Sequence, residues 1–223
     1  MYKFEINNTN ITKKEKVKIM ERHLDCFFCK EIEDPTQNIL RKSRIIYETA
    51  NFLVFPTVGC FQIGYLLVMP KVHYLCFGEL SSDLIDELNE IINRLSDFIQ
   101  RKEDKKCIIF EHGTRDLSKL TSTSIMHAHI HIMPFDKKVI DYLPAGCQLK
   151  EIGGFEDLKD ESDNYLFLKD ITGNNYIVTN NNYPSQFFRQ IICIIKGIQD
   201  CWDWKQYEFM DNMNETIKYY DGL

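Results

Sequence analysis

The stretch that most restricts this chain reads His127–Ala128–His129–Ile130–His131–Ile132–Met133. Its alternation has the two-residue period of a β-strand, on which every second side chain shares a face. All three imidazoles therefore point one way, with Ala128, Ile130 and Ile132 on the other face. A polar strand face that happens to use histidine is the plain alternative, but such faces ordinarily use lysine, glutamate and threonine. One metal ion held by all three is awkward, because the outer two lie about 13 Å apart on a strand rising roughly 3.3 Å per residue. A division of labour among them fits the spacing better.

The surrounding pattern supplies partners for such a strand. Residues 45–55, IIYETANFLVF, read as two strands around a turn at Glu48–Asn51, and Tyr65 to Met69 as a third that Pro70 ends. A helix opens at Ser81 or Ser82, with Asp83 and Asp86 near the positive end of its dipole. Leu84, Leu88, Ile91, Leu95 and Phe98 then recur at spacings of three and four, and the helix is expected to run to about Arg101. Cys107 to Phe110 reads as a short buried strand, Glu111–His112–Gly113 as the start of a polar loop, and Ser124 to Met133 as a strand stopped by Pro134. This order predicts an α+β fold: an antiparallel sheet with one main helix. Beyond Gly153–Gly154 the acidic segment 155–164 reads as a loop, Tyr165–Lys169 and Tyr176–Thr179 as a hairpin, and Pro184–Ser185 as the start of a helix through about Gln199. Residues 1–24 are polar, with a short amphipathic helix expected at Thr12–Leu24. The chain is thus expected to divide into an N-terminal extension at 1–24, a main domain at 25–149 and a small α+β extension at 150–223.

Charge and composition exclude several classes. With 27 basic and 33 acidic residues the net charge is −6, so the bulk electrostatic footprint of a nucleic-acid binder is missing. No apolar run approaches the ~18 residues of a membrane span, and no membrane role is expected. The opening MYKFEINNTNITKKEK lacks the apolar core of a secretion signal, which points to a soluble, cytoplasmic protein. The chain has eight cysteines, and most then read as buried thiols in a reducing compartment. The pair Cys26–Phe27–Phe28–Cys29 differs: it is a redox pair, half of a metal site, or a coincidence of spacing.

With these residues in view, the chain resembles the histidine triad (HIT) superfamily, whose motif His-x-His-x-His followed by two apolar residues is matched by His127 to Met133. The likeness extends to Asp25–Lys30 (DCFFCK), to Tyr47–Glu48 with Phe52–Phe55, and to Tyr65–His73 (YLLVMPKVH), covering roughly residues 25–135. In zinc-containing members two cysteines, the histidine of Pro-Lys-x-His and the first triad histidine bind one metal. The resemblance therefore implies a structural zinc at Cys26, Cys29, His73 and His127. It implies that His129 is the nucleophile, that His131 contacts the phosphate, and that Ser124 serves the leaving group. The apolar base pocket would be lined by Phe27, Phe28, Phe55 and Val58.

Some positions depart from the family pattern. Thr57 stands where an aspartate usually grips the ribose, and a hydroxyl cannot replace a carboxylate that accepts two hydrogen bonds. Gly64–Tyr65 stands where the family has Gly-His, and Ser122–Thr123 where it has Gly-Gln. His112 reads either as an added acid or phosphate ligand, or as an exposed loop histidine. Arg189, in a segment with a looser resemblance to extended bacterial-type members, reads as a distant phosphate contact or a structural ion pair. The implied function is a hydrolase attacking the α-phosphate of a nucleotide anhydride, phosphoramidate or ester through a nucleotidyl-histidine. A nucleotidyltransferase or phosphorylase, and a non-catalytic nucleotide-binding module, are the alternatives. The family habit of pairing through an extended sheet implies a homodimer with the helix at 81–101 near its axis.

Overall fold

The computed structural model describes residues 26–33, 44–115, 127–179 and 183–223. The expected helix at Thr12–Leu24 and Ser124 lie outside the described residues. Eight strands form one antiparallel sheet: β1 (Tyr47–Glu48), β2 (Phe52–Pro56), β3 (Leu66–Pro70), β4 (Lys106–Gly113), β5 (Ile130–Phe135), β6 (Gln148–Ile152), β7 (Tyr165–Lys169) and β8 (Asn175–Thr179). Their spatial order is β1-β2-β3-β5-β4-β7-β8-β6. Among the described residues four α-helices accompany them: α1 (Phe27–Glu33), α2 (Ser82–Glu103), α3 (Phe187–Ile195) and α4 (Met210–Tyr219). Among the described residues no helix is long and apolar enough to cross a membrane.

The fold is α+β, as the order of elements predicts. Alternation along the strands gives the sheet two apolar faces, and each is covered differently. On one face Phe52, Val54, Leu66, Val68, Ile130 and Ile132 meet the stripe of α2. That stripe buries Ile85, Leu88, Ile91, Ile92, Leu95 and Ile99, each worth about 1.5–3 kcal/mol relative to exposure. The helix ends at Asp104, whose left-handed φ of 55° turns the chain back into β4.

The other face carries two separate clusters. Cys26, Phe28 and Cys29 pack on Leu53, Phe55, Leu67 and Met69. Further along, α3 lays Phe187, Phe188, Ile191 and Ile192 over Tyr65, Ile108, Phe110, Leu166 and Leu168. The histidine strand crosses the gap between these clusters.

Several boundaries differ from the sequence reading. Strand β4 continues through Glu111, His112 and Gly113, where a polar loop was expected, because β7 pairs with it from Ile109↔Lys169 to Gly113↔Tyr165. That pairing is long-range and leaves no local signal. At Gly113 a Cβ would stand 2.1 Å from the ring of Tyr165, so only glycine fits under that ring. Strand β5 starts at Ile130, later than expected, and includes Pro134. Pairing with β3 stops at Leu66↔Ile132, so on that side Pro134 is an edge position that needs no donor. The acidic segment 155–164 holds a 3-10 turn, Phe155–Asp160, that buries Phe155 and Leu158 in the core. Helix α3 is shorter than expected, ending before Gly197, whose φ of 71° closes it.

Strand β6 straddles the expected boundary at 149/150 and pairs with β8 along its whole length. The strands after residue 147 therefore extend the same sheet. In doing so β7 takes the outer edge of β4.

Candidate functional site

The histidine run enters from a turn held by the Ala128 amide, which donates to the Tyr74 carbonyl at 2.7 Å. His127 is buried, while His129 and His131 are half-buried. Only His131 lies on the strand, yet His129 stays 5.0 Å from it and Phe28 borders both His127 and His129, so the three imidazoles remain neighbours in different environments.

His127 turns toward α1. Its Nδ1 lies 3.5 Å from the Sγ of both Cys26 and Cys29, and Cys29 Sγ lies 3.3 Å from His73 Nδ1. The Nε2–H of His127 donates to the Pro70 carbonyl at 2.7 Å, which fixes the tautomer and leaves the Nδ1 lone pair aimed at the thiols. One donor atom from each of Cys26, Cys29, His73 and His127 lies within 4.8 Å of the others, and all four residues are buried. The Cys26 thiol is held far below its ordinary value, chiefly by the hydrogen bond with Cys29, against burial, with His127 and His73 adding to the effect. Thiolate character and converging donors make this cluster one that could hold a metal ion. The alternatives of coincidence and a lone redox pair leave the two histidines unexplained.

His129 stands next. Its Nδ1–H donates to the His127 carbonyl at 2.7 Å, so Nε2 bears the lone pair. Burial pushes this imidazole down to about 4, partly opposed by the carbonyl bond, so it is neutral at ordinary pH. Phe28 lies 6.2 Å from its ring, and Phe55 lies 6.0 Å from Phe28. Of the expected pocket aromatics Phe28 thus borders His129 and Phe55 borders Phe28; the side chain of Phe27 lies outside the described residues. Val58 is half-buried in the loop after β2. Thr57 is buried, and its hydroxyl donates to the Val58 carbonyl at 2.9 Å.

His131 belongs to β5 and sits between Leu67 of β3 and Phe110 of β4 in the ladder. Its ring stacks on Phe110 at 4.4 Å, with the planes 8° apart. Nδ1 lies 2.7 Å from the Tyr65 hydroxyl. His112 joins the same face. It lies two residues beyond Phe110, the partner of His131, on the same face of β4, and its ring lies 5.8 Å from Phe188. It is half-buried on a strand rather than exposed on a loop, and burial with the neighbouring His129 pushes it down to about 3.

Arg189 does not reach outward. It is 3% exposed and sits within the second cluster. Its Nε donates to the Trp202 carbonyl, Nη2 to the Gly59 carbonyl and Nη1 to the Tyr65 hydroxyl, at 2.9, 2.8 and 3.2 Å. A direct phosphate contact and an ion pair were the sequence readings; backbone carbonyls and a phenol are what it meets. Tyr65 itself is the residue that sequence reasoning passed over. The signal was present, since it stands where the resembling family has histidine.

A buried Cys2His2 donor set and an adjacent strand of imidazoles on an antiparallel α+β sheet define a histidine-based site of one recognisable class. A family model described as HIT domain matches residues 40–138. Over that region the chain is similar to a HIT domain. Among proteins it resembles, CWF19-like protein 1 of Pongo abelii is 22% identical over 176 residues, covering 71% of this chain but only 31% of that protein. The chain thus spans less than a third of that relative's length. The match must reach past residue 138, because 71% of the chain exceeds its first 138 residues. An uncharacterized HIT-like protein of Saccharolobus solfataricus is 27% identical over 134 residues, 56% of this chain and 88% of that one. Among solved structures, a zinc-bound histidine triad family protein from Mycobacterium smegmatis has 20% identity and a TM-score of 0.40, covering 50% of this chain and 76% of that chain.

Proposed function

We propose that this protein is a nucleotidyl hydrolase acting through a covalent histidine intermediate. The observation that carries this reading is the state of His129: neutral, with Nδ1–H held by the His127 carbonyl and Nε2 left with its lone pair between the two apolar clusters. Nε2 attacks the α-phosphorus, forming an N–P bond while the bond to the leaving group breaks. The leaving group departs with the electron pair and takes a proton, for which Ser124 is the expected donor. Water then attacks the phosphorus as the N–P bond breaks, its proton returning to Ser124, which releases a nucleoside monophosphate and restores neutral His129. His131 lies beside the phosphate and donates a hydrogen bond to its oxygens. Phe28 and Phe55 offer aromatic faces to the base, with Phe27 and Val58 completing the wall. Thr57 leaves ribose recognition without a carboxylate.

Zinc is the metal we assign to Cys26, Cys29, His73 and His127. Tetrahedral zinc with thiolate and imidazole ligands needs S···N separations of about 3.6 Å, and three such pairs here lie 3.3–3.5 Å apart. Four protein ligands close the site, so the ion would supply a cross-link between α1 and the sheet and no chemistry of its own. All eight cysteines are free thiols, which supports a reducing, cytoplasmic setting. We treat 25–149 as the catalytic domain and 150–223 as its extension. A homodimer continuing the sheet would have to pair through β1 or β6, since β7 covers β4. Light scattering distinguishes it from the 26.4 kDa chain.

The test is turnover of a panel of dinucleoside polyphosphates, adenosine phosphoramidates and nucleotide sugars, with and without phosphate. Release of a nucleoside monophosphate supports hydrolysis. A nucleoside diphosphate formed only with phosphate assigns phosphorolysis instead, and binding without turnover assigns a binding module.

A further inference from the structure

Arg189 is an unusual residue in the described part of this chain: a buried guanidinium that donates its hydrogen bonds to two backbone carbonyls and a phenol and to no carboxylate among the described residues. Burying a charge is costly unless its hydrogen bonds are satisfied, so a role beyond packing is worth seeking. Its three donors reach three different places. Nε holds the Trp202 carbonyl, Nη2 holds Gly59 in the loop after β2, and Nη1 reaches Tyr65 beside the histidine face. Loop and C-terminal segment meet so closely here that a Cβ on Gly59 would stand 2.6 Å from Trp204 Cβ and 2.7 Å from Arg189 Nη2. The guanidinium also lies 4.9 Å over Phe61 and 5.5 Å over Tyr65. It is thus positioned by contacts on every side.

The donor count along this chain of groups has one solution. Arginine only donates, so Nη1 occupies a lone pair on the Tyr65 oxygen. The phenol is fully buried and has one proton, and its other partner is His131 Nδ1 at 2.7 Å. If Nδ1 carried a proton, the Tyr65 oxygen would accept twice and its own buried proton would have no acceptor. The phenol must therefore donate to Nδ1. Burial keeps that phenol protonated, since it raises Tyr65 well above its ordinary value. The remaining imidazole proton then sits on Nε2, on the side away from Tyr65. Stacking on Phe110 holds the ring in plane.

We propose that Arg189 and Tyr65 are positioning residues that set the tautomer of His131, so that Nε2–H is presented as a hydrogen-bond donor to the substrate. This deepens the hydrolase reading and rests on it for the identity of the substrate. The device lies outside the histidine motif itself: its last member comes from α3, after the matched region 40–138. The C-terminal segment is then part of the active-site support rather than an appendage.

Nitrogen NMR of the full chain labelled with 15N-histidine tests this, because the two neutral tautomers give distinct one- and two-bond correlations. His131 is assigned from the signal lost in His131→Asn. The expected result for the wild-type protein at neutral pH is a single Nε2–H tautomer at His131. Tyr65→Phe and Arg189→Lys should both introduce the Nδ1–H form. On a turned-over substrate, Tyr65→Phe should lower kcat roughly 10- to 100-fold with KM within about threefold. A wild-type His131 protonated at Nδ1, or a tautomer unmoved by Tyr65→Phe, would overturn the proposal, and the wild-type spectrum needs no variant to fold. If the tautomer is as expected but the substrate panel shows no turnover, the relay stands and the hydrolase reading fails. If turnover is found with the other tautomer, the relay alone fails.

Discussion

The Nδ1 of His129 lies 2.7 Å from a carbonyl oxygen, which can only accept, so the reactive lone pair is confined to Nε2. His127 carries the opposite tautomer, its Nε2–H on Pro70 and its Nδ1 toward the thiols. Two residues apart in sequence, they are wired for different work. Replacing His129 by asparagine should lower turnover by about a thousandfold or more, since the covalent route is lost, while metal content and nucleotide binding remain. Kinetics on a confirmed substrate, with mass spectrometry of an adduct on His129 in the wild type, is the check. At the metal cluster, Cys29→Ser should reduce bound zinc from about one equivalent in elemental analysis. The accompanying loss, on the order of 3 kcal/mol, would lower Tm by roughly 6–12 °C. A metal-free wild-type protein of full stability would sink that assignment.

Between strand β4 and its neighbours lies a second buried ionisable group, on the face away from the histidines. Glu111 is 1% exposed and accepts hydrogen bonds from the Phe77 amide and the Tyr165 hydroxyl, both at 2.8 Å. It thereby joins β4 to β7 and to the 3-10 turn at Phe77–Glu79. Burial raises its carboxyl from 4.5 to about 8, against the pull of these two bonds. The folded state then keeps a proton that the unfolded state releases. Its contribution is fully present below about pH 4.5 and falls as pH rises toward about 8. Across that window the slope reaches at most about 1.4 kcal/mol per pH unit. Glu111→Gln should flatten it, measured by urea unfolding at a series of pH values. A variant with the wild-type slope would place the titration elsewhere.

For the molecule as a whole, one continuous sheet and one shared cluster imply cooperative unfolding. Phe188 lies 5.3 Å from Phe110 and packs α3 onto the strands that carry the site. Phe188→Ala should destabilise by about 3–5 kcal/mol, and calorimetry should record a single transition in both proteins. Two separate transitions would mean that the C-terminal segment folds on its own. The sequence by itself determined the α+β class, the grouping of the three histidines, the span of α2 and the hairpin of β7 with β8. These follow from short-range periods and turn residues, which the chain displays locally. Through its family resemblance it also named the four residues of the buried Cys/His cluster, which lie as much as 101 residues apart. Tertiary structure alone decided that β4 runs on through His112, that β7 closes its edge, and that Arg189 turns inward to Tyr65. Each of these depends on which distant backbone or donor arrives to satisfy a buried polar group, and no local pattern carries that information.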